Sequence, residues 1–305
     1  MIPEEVLKQV RRIQILTSRM VTDVLAGQYH SVFKGRGMEF AEVRQYQFGD
    51  DIRTIDWNVT ARTNVPHVRE YVEERELTVM LLVDASCSLD VGTAEKTKRE
   101  LATELCAVLA FSAVTNNDKV GLIVFTDEIE LFVPPKKGKR HVLRVIREVL
   151  THRPRGKGTN IKGALEHLSK VAKKRSVAFV ISDFLDQGYE RDLSIANRAH
   201  DLVAMSIADP TEYELGARGH AAAGRRVELK PIPAVVRLVD PETGRVLLVD
   251  GRSLKVRRDY QEAAAVQRAQ KTETFRRRGI DKVELRTDED YVRPLVAYFR
   301  ERENR

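Results

Sequence analysis

The sequence predicts an α/β protein built on a doubly wound, mainly parallel sheet with an antiparallel edge strand and a β-hairpin insertion. From residue 77 onward, short apolar runs alternate with stretches of helical spacing, the order that lays parallel strands between helices on both faces. The first run, Leu77 to Val83, ends in Asp84, Ser86 and Ser88, which puts one carboxylate and two hydroxyls at the exit of a buried strand. Loops at the carboxyl ends of parallel strands are where open α/β sheets present ligand-binding groups.

The elements follow in order. Residues 4–25 place Val6, Val10, Ile13, Met20, Val21 and Val24 near helical spacing, so an amphipathic helix is expected to open the chain. Residues 27–76 carry glycines, the spaced arginines Arg36, Arg44, Arg53, Arg62 and Arg69, and the sole tryptophan, Trp57, and read as irregular or short-stranded. Segment 1–76 is therefore set apart from a main domain over 77–305. Strands are expected at 77–83, 120–125, 177–182 and 202–208, with a fifth near 283–286. Leu101, Leu105, Val108 and Leu109 form one helical stripe between them, and Val142, Val145, Ile146, Val149 and Leu150 a second. A third helix follows Thr159, with Ile161, Leu165, Leu168 and Val171 inward. Val120–Phe125 and Ile129–Val133, joined by Thr126-Asp-Glu, predict a hairpin that adds the antiparallel edge. Residues 210–252 break the alternation, and Val235–Val249 reads as a second hairpin around Pro241-Glu-Thr-Gly244, an insertion rather than a domain. Charged helices near 255–278 and 290–303 close the chain.

Composition bounds the function. Hydrophobic residues make up 42% of the 305 residues and charged residues 32%, which excludes wholesale disorder and supports a sizeable core under a charged surface. The 52 Lys and Arg exceed the 45 Asp and Glu, giving a net charge of +7, which admits an acidic partner, nucleic acid or an anionic surface. Cys87 and Cys106 have no zinc or redox spacing and point to a reducing compartment. With no secretory leader pattern and no apolar run of membrane-spanning length, a cytoplasmic location is expected.

Asp84, Ser86 and Ser88 together suggest a divalent-metal site, because oxygen donors are what Mg²⁺ prefers. Asp-x-Ser-x-Ser arises by chance in about one chain of this length in ten, so its place after a strand carries the weight. Two further donors stand at expected loop positions: Thr159, in a glycine-containing loop running into a helix, and Asp183, ending the strand 177–182. Each also has a plain structural reading. Thr159 or Asn160 suits a helix N-cap, and Ser86 and Ser88 suit a turn. Jointly, the five oxygen donors favour a metal.

The series Asp84-x-Ser86-x-Ser88, Gly158-Thr159 and Ser182-Asp183 resembles the metal-ion-dependent adhesion site of von Willebrand factor type A domains. Gly49-Asp-Asp-Ile-Arg-Thr-Ile-Asp-Trp57 with Ala61-Arg62, Asp209-Pro-x-Glu212 and Asp240-Pro-Glu-Thr-Gly244 is similar to the bacterial domain-of-unknown-function family number fifty-eight. The resemblance implies a type A fold of Rossmann-like kind behind a family-specific amino-terminal segment. It also implies a bound Mg²⁺, with Mn²⁺ or Ca²⁺ as substitutes, held by Asp84, Ser86, Ser88, Thr159 and Asp183. Two carboxylates and three hydroxyls leave such an ion short of one ligand, which in type A domains an acidic side chain of a bound protein supplies. The implied partner is a MoxR-type AAA+ ATPase, with the chain as a non-enzymatic, chaperone-like adaptor.

Other readings are weaker. Gly156-Lys-Gly-Thr159 lacks the first glycine and the spacing of a phosphate-binding loop. A Mg-dependent hydrolase would need a general base beyond the two aspartates already engaged. Nucleic-acid binding rests on Arg276-Arg-Arg278, Lys136–Arg140 and Arg153–Lys157, with no recognition module beside them. His141, His152 and His167 are expected on surface faces or loops. Asp50, Asp51 and Asp56 are expected to form salt bridges around Arg53, and Trp57 to anchor the amino-terminal segment in a core.

Overall fold

The computed structural model describes residues 39–72, 77–90, 92, 96–215 and 234–304. The helix expected over 4–25 lies outside them. The chain divides into two compact units, one of them Phe33–Leu77 and the other containing Thr78–Arg305.

In the smaller unit, β1 (Glu39–Gln45) is followed by a 3-10 turn (Ile52–Thr54), α1 (Trp57–Thr63) and β2 (His67–Val72). The two strands pair antiparallel, with Arg44 opposite Val68 and a register shift between Phe40 and Glu42. Aspartates punctuate this segment. Asp51 caps the 3-10 turn through Arg53 N, and Asp56 is the α1 N-cap, accepting from Asn58 N at 3.0 Å and Val59 N at 3.3 Å. Asn64 closes the helix at φ 57, a left-handed conformation that asparagine tolerates.

Two expectations are corrected in this unit. The ion pairs do not centre on Arg53: Arg44 grips Asp50 through two bonds of 2.8 Å, and Arg69 Nε donates to Asp56 Oδ2 at 2.8 Å. Arg44 and Arg69 reach from the two strands to aspartates of the connecting segment, whereas Arg53 is exposed on a tight turn. Trp57 is not a core anchor but 67% exposed. Buried Asp56 takes the inner side as cap and ion-pair partner, so the next residue on the helix faces outward.

The larger unit runs β3 (Thr78–Asp84), α2 (Lys98–Thr115), β4 (Lys119–Phe125), β5 (Ile129–Lys136), α3 (Lys139–Thr151), α4 (Ile161–Val171), β6 (Val177–Ser182), α5 (Glu190–Ala199) and β7 (Asp201–Ala208). A 3-10 turn (Pro210–Glu212) follows. The hairpin strands β8 (Val235–Val239) and β9 (Val246–Asp250) precede α6 (Leu254–Arg277), β10 (Asp281–Arg286) and α7 (Val292–Glu303). The helix α5 is not legible from periodicity, since it buries Leu193 and Ala196 alone, too few for a stripe.

The main sheet has the order β10-β7-β6-β3-β4-β5, parallel throughout except for β5, which runs antiparallel to β4 at the edge. Successive side chains of a strand face opposite sides. Met80 and Leu82 therefore join Ile123, Val180 and Ala204 in a core with Ile161, Leu165 and Leu168 of α4 and Leu193 of α5. Val79, Leu81 and Val83, equally buried, face the opposite layer, where α2 and α3 pack together. This two-sided burial explains why the strands read as apolar runs rather than alternating ones.

From β3 the chain moves outward to β4 and β5, then crosses back to place β6 on the other side of β3. The order of winding reverses there, and the carboxyl ends of β3 and β6 open onto a crevice that helices do not fill. Asp84 ends β3, and Asp183 directly follows β6. The expected histidine positions change. His141 Nε2 donates to Val120 O at 2.8 Å, and His167 packs edge-on against Phe132 at 5.4 Å between centroids. They and His152 are half-buried between elements rather than free on the surface. Phe179, fully buried in central strand β6, is a test of this packing. Phe179→Ala should cost about 3–5 kcal/mol in denaturant unfolding.

Candidate metal centre

Sharp turns after β3 and β6 carry the site. Asp84 Oδ1 accepts from Ser86 N at 2.8 Å, folding the chain back so that both serine hydroxyls point inward. Ser88 Oγ donates to Asp183 Oδ2 at 2.7 Å, and Ser86 and Ser88 share a hydrogen bond of 2.9 Å. Ser182 Oγ closes the circuit on Asp84 Oδ2 at 2.6 Å. Asp84 is 1% and Asp183 0% exposed, so two carboxylates sit side by side under the rim. Burial, reinforced by the charge of Asp183, pushes the Asp84 carboxyl up to about 7.

The third loop arrives from the other side of β3. Cys87 N donates to Lys157 O at 3.1 Å, which sets residues 155–160 beside the serine turn. Glu130 of β5 anchors that loop, because its Oε1 accepts from Arg155 N at 2.7 Å, Gly156 N at 2.8 Å and Thr126 Oγ1 at 2.9 Å. Gly156 is required by close approach, since a Cβ would come within 2.3 Å of the buried Thr126 Oγ1 that Glu130 holds in place. Asn160, not Thr159, is the α4 N-cap, accepting from Gly163 N at 2.8 Å. Thr159 is thereby released from capping, and its Oγ1 donates instead to Glu242 Oε1 in the hairpin turn, at 2.7 Å. The structure thus joins Asp84, Ser86, Ser88 and Asp183 in one network and brings Thr159 to the neighbouring loop, bonded outside it.

Sequence reasoning missed several members of this site. Lys98, 2% exposed at the start of α2, donates to Asp183 Oδ2 at 2.8 Å and Glu212 Oε1 at 2.5 Å. Burial works against its charge, but Asp183 and Glu212 outweigh it and hold the ammonium above the ordinary lysine range. In the sequence Lys98 stands in a charged run that reads as a solvated helix face. Ser182 precedes Asp183 and carried no separate signal. Glu212 and Glu242 each follow an Asp-Pro pair, so the repeated Asp-Pro motif was the available clue. Lys271 Nζ donates to the backbone oxygen of Asp183 at 2.7 Å.

The donor chemistry fits a hard divalent cation. The side-chain acceptors of the network are oxygens, and the carboxylates of Asp84, Asp183, Glu212 and Glu242 outnumber the ammonium groups of Lys98 and Lys271 that bond among them. Asp84 has only hydroxyl and backbone N–H donors among its described bonds, and a cation beside it favours its ionised form.

A mainly parallel α/β sheet with an oxygen-rich cluster at its switch point defines the class of protein. The chain belongs to the protein family of unknown function DUF58, whose profile matches residues 42–270. It is 33% identical over 305 residues to the uncharacterized protein Rv1480 of Mycobacterium tuberculosis, spanning 96% of this chain and 88% of that one. The uncharacterized protein Mb1516 of Mycobacterium bovis matches with the same figures, 33% identity, 96% and 88%. Among solved structures, the chain is similar to the conserved hypothetical protein BatB of Bacteroides thetaiotaomicron at 14% identity, covering 75% of this chain and all 100% of that one, with a TM-score of 0.44. It is also similar to an aerotolerance-related membrane protein of Bacteroides fragilis, at 16% identity, 75% and 98% coverage and a TM-score of 0.46. Among the described residues no helix is long and apolar enough to cross a membrane.

Two predictions test the framework of the site. Lys98→Met strands Asp183 and Glu212 as buried carboxylates and should cost about 3–5 kcal/mol in denaturant unfolding. Burial opposes ionisation of Glu130, but the N–H groups of Gly156 and Arg155 prevail and hold its carboxyl below the ordinary 4.5. A depressed folded value means that this stabilisation is complete above the ordinary value and lost as pH falls through the folded one. As pH falls below the ordinary 4.5, the melting temperature of wild type should therefore fall more steeply than that of Glu130→Gln.

Proposed function

We propose that this protein is a metal-dependent protein-binding adaptor, with Mg²⁺ (or Mn²⁺ or Ca²⁺) held by Asp84, Ser86, Ser88, Thr159 and Asp183. The bound ion would supply a coordination position for a carboxylate of a partner protein. Asp84 and Asp183 bring the charge; the three hydroxyls bring neutral oxygens that orient without over-neutralising the ion. The main domain over 77–305 presents this rim, and the family segment over 1–76 is a separate module. The partner that the family resemblance suggests is a MoxR-type AAA+ ATPase, and the role is recognition rather than catalysis.

The observation that carries this reading is the bonded set Asp84–Ser86–Ser88–Asp183 at the switch point, with the Thr159 loop alongside. A groove of about 830 Å³ reaches it, lined by Ser88 and Lys98. Of the basic clusters behind the nucleic-acid alternative, Arg276 and Arg277 share Glu273 on the surface, and Arg278 Nε donates to Glu190 O at 2.7 Å.

The test is recovery of the co-resident MoxR-type ATPase on tagged protein with Mg²⁺, with a chelator, and with Asp84→Ala. Mg²⁺-dependent recovery is expected, with loss in the other two arms and a drop of at least about 100-fold in Mg²⁺ affinity for Asp84→Ala. Equal recovery by wild type and Asp84→Ala would overturn the proposal.

A further inference from the structure

The hairpin insertion reaches the rim of the candidate centre and delivers a carboxylate to it. Its turn is pre-organised: Asp240 Oδ1 accepts from Glu242 N at 3.0 Å, Asp240 O accepts from Gly244 N at 2.8 Å, and Gly244 takes φ +71, which glycine adopts freely. Pro241 restricts the chain just before Glu242. The result is a fixed loop tip whose Glu242 Oε1 receives the Thr159 hydroxyl at 2.7 Å across 83 residues of sequence. Glu242 Oε2 lies 4.0 Å from where a Cβ of Gly158 would stand, an ordinary contact distance that places the carboxylate over the loop.

We propose that Glu242 is a built-in latch: it occupies, from within the same chain, the place at the metal rim that a partner's carboxylate would take. The latch rests on the metal-centre reading above and adds its regulation. Three features favour a removable contact over a permanent one. First, among the described residues β8 and β9 pair only with each other, and Val235, Val239, Val246, Leu247 and Leu248 remain exposed, so these side chains add little apolar burial to hold the hairpin down. Second, the groove runs beneath the hairpin, between Ser88, Lys98 and Lys271 on the rim side and Arg237, Glu242 and Arg245 on the hairpin side. Third, Glu242 Oε1 holds the hydroxyl of Thr159, itself one of the proposed ligands, so a cation drawing on Thr159 at the rim acts on the latch directly. Metal binding and hairpin docking are thereby coupled, and the coupling is reciprocal. An acidic side chain of a partner then competes with Glu242 and, on winning, frees the hairpin.

The test uses the full chain as wild type, Glu242→Gln and Asp84→Ala, with Mg²⁺ titrated by calorimetry and amide exchange followed over residues 235–250. Glutamine can still accept the Thr159 hydrogen bond but carries no charge, so it separates a ligand from a structural contact. For wild type, Mg²⁺ should slow exchange across the hairpin. For Glu242→Gln that protection should vanish and Mg²⁺ affinity should fall by about tenfold or more, with Glu242→Asp intermediate. Equal affinity and equal hairpin protection in wild type and Glu242→Gln would overturn the latch while leaving the metal centre standing. Undiminished Mg²⁺ binding by Asp84→Ala would overturn the metal centre itself, and the latch with it.

Discussion

Two carboxylates buried side by side, Asp84 and Asp183, are the constraint around which the main domain is organised. Desolvating one carboxylate is costly, and placing a second next to it adds repulsion. The chain offsets this by converging donors from separate elements. Ser86 and Ser88 come from the turn after β3, Ser182 from the end of β6 and Lys98 from the start of α2. None of these partners is local to both carboxylates, so the cluster exists only when β3 and β6 are paired. The parallel register that sets Val83 beside Ile181 therefore does double duty, joining the core and assembling the rim.

The same economy appears in the loop that carries Thr159. Its position follows from Glu130 on the edge strand, from the absence of a side chain at Gly156, and from Asn160 taking over the helix cap. The antiparallel edge strand thus has a role beyond closing the sheet, since it supplies the carboxylate on which the loop hangs. Rigid elements beneath, with short bonded turns above, are what a site needs if its donors are to meet at one point.

The insertion and the amino-terminal unit are built differently. Both are small antiparallel pairs punctuated by aspartates, and both leave large apolar side chains exposed, among them Trp57 and Leu248. Small two-stranded units gain stability from packing on something else. In the hairpin that surplus is spent on presenting Glu242 at the rim. Regulation by such an element depends on its modest hold, because a deeply packed segment could not yield to a competing carboxylate.

What was legible in the sequence was whatever leaves a periodic or punctuating mark. Leu77 to Val83 and Val177 to Ser182 announce themselves as strands because burial on two faces demands continuous apolar residues. Asp84-x-Ser-x-Ser stands out because the turn that follows such a strand needs small polar residues. The hairpin was visible in Pro241 to Gly244 for the same reason. Lys98 left no such mark, and the Asp-Pro pairs before Glu212 and Glu242 marked turns without showing where those carboxylates go, since a charged residue in a helix start or a turn looks alike whether solvated or buried. The sequence by itself determined the strand order in time, the turns and the donor types. Only the tertiary structure decided which charges meet, that Trp57 faces outward while Asp56 turns in, and that Thr159 bonds to Glu242. Such pairings are set by through-space distance between residues up to 114 positions apart, and electrostatics falls off with distance in space, not in sequence.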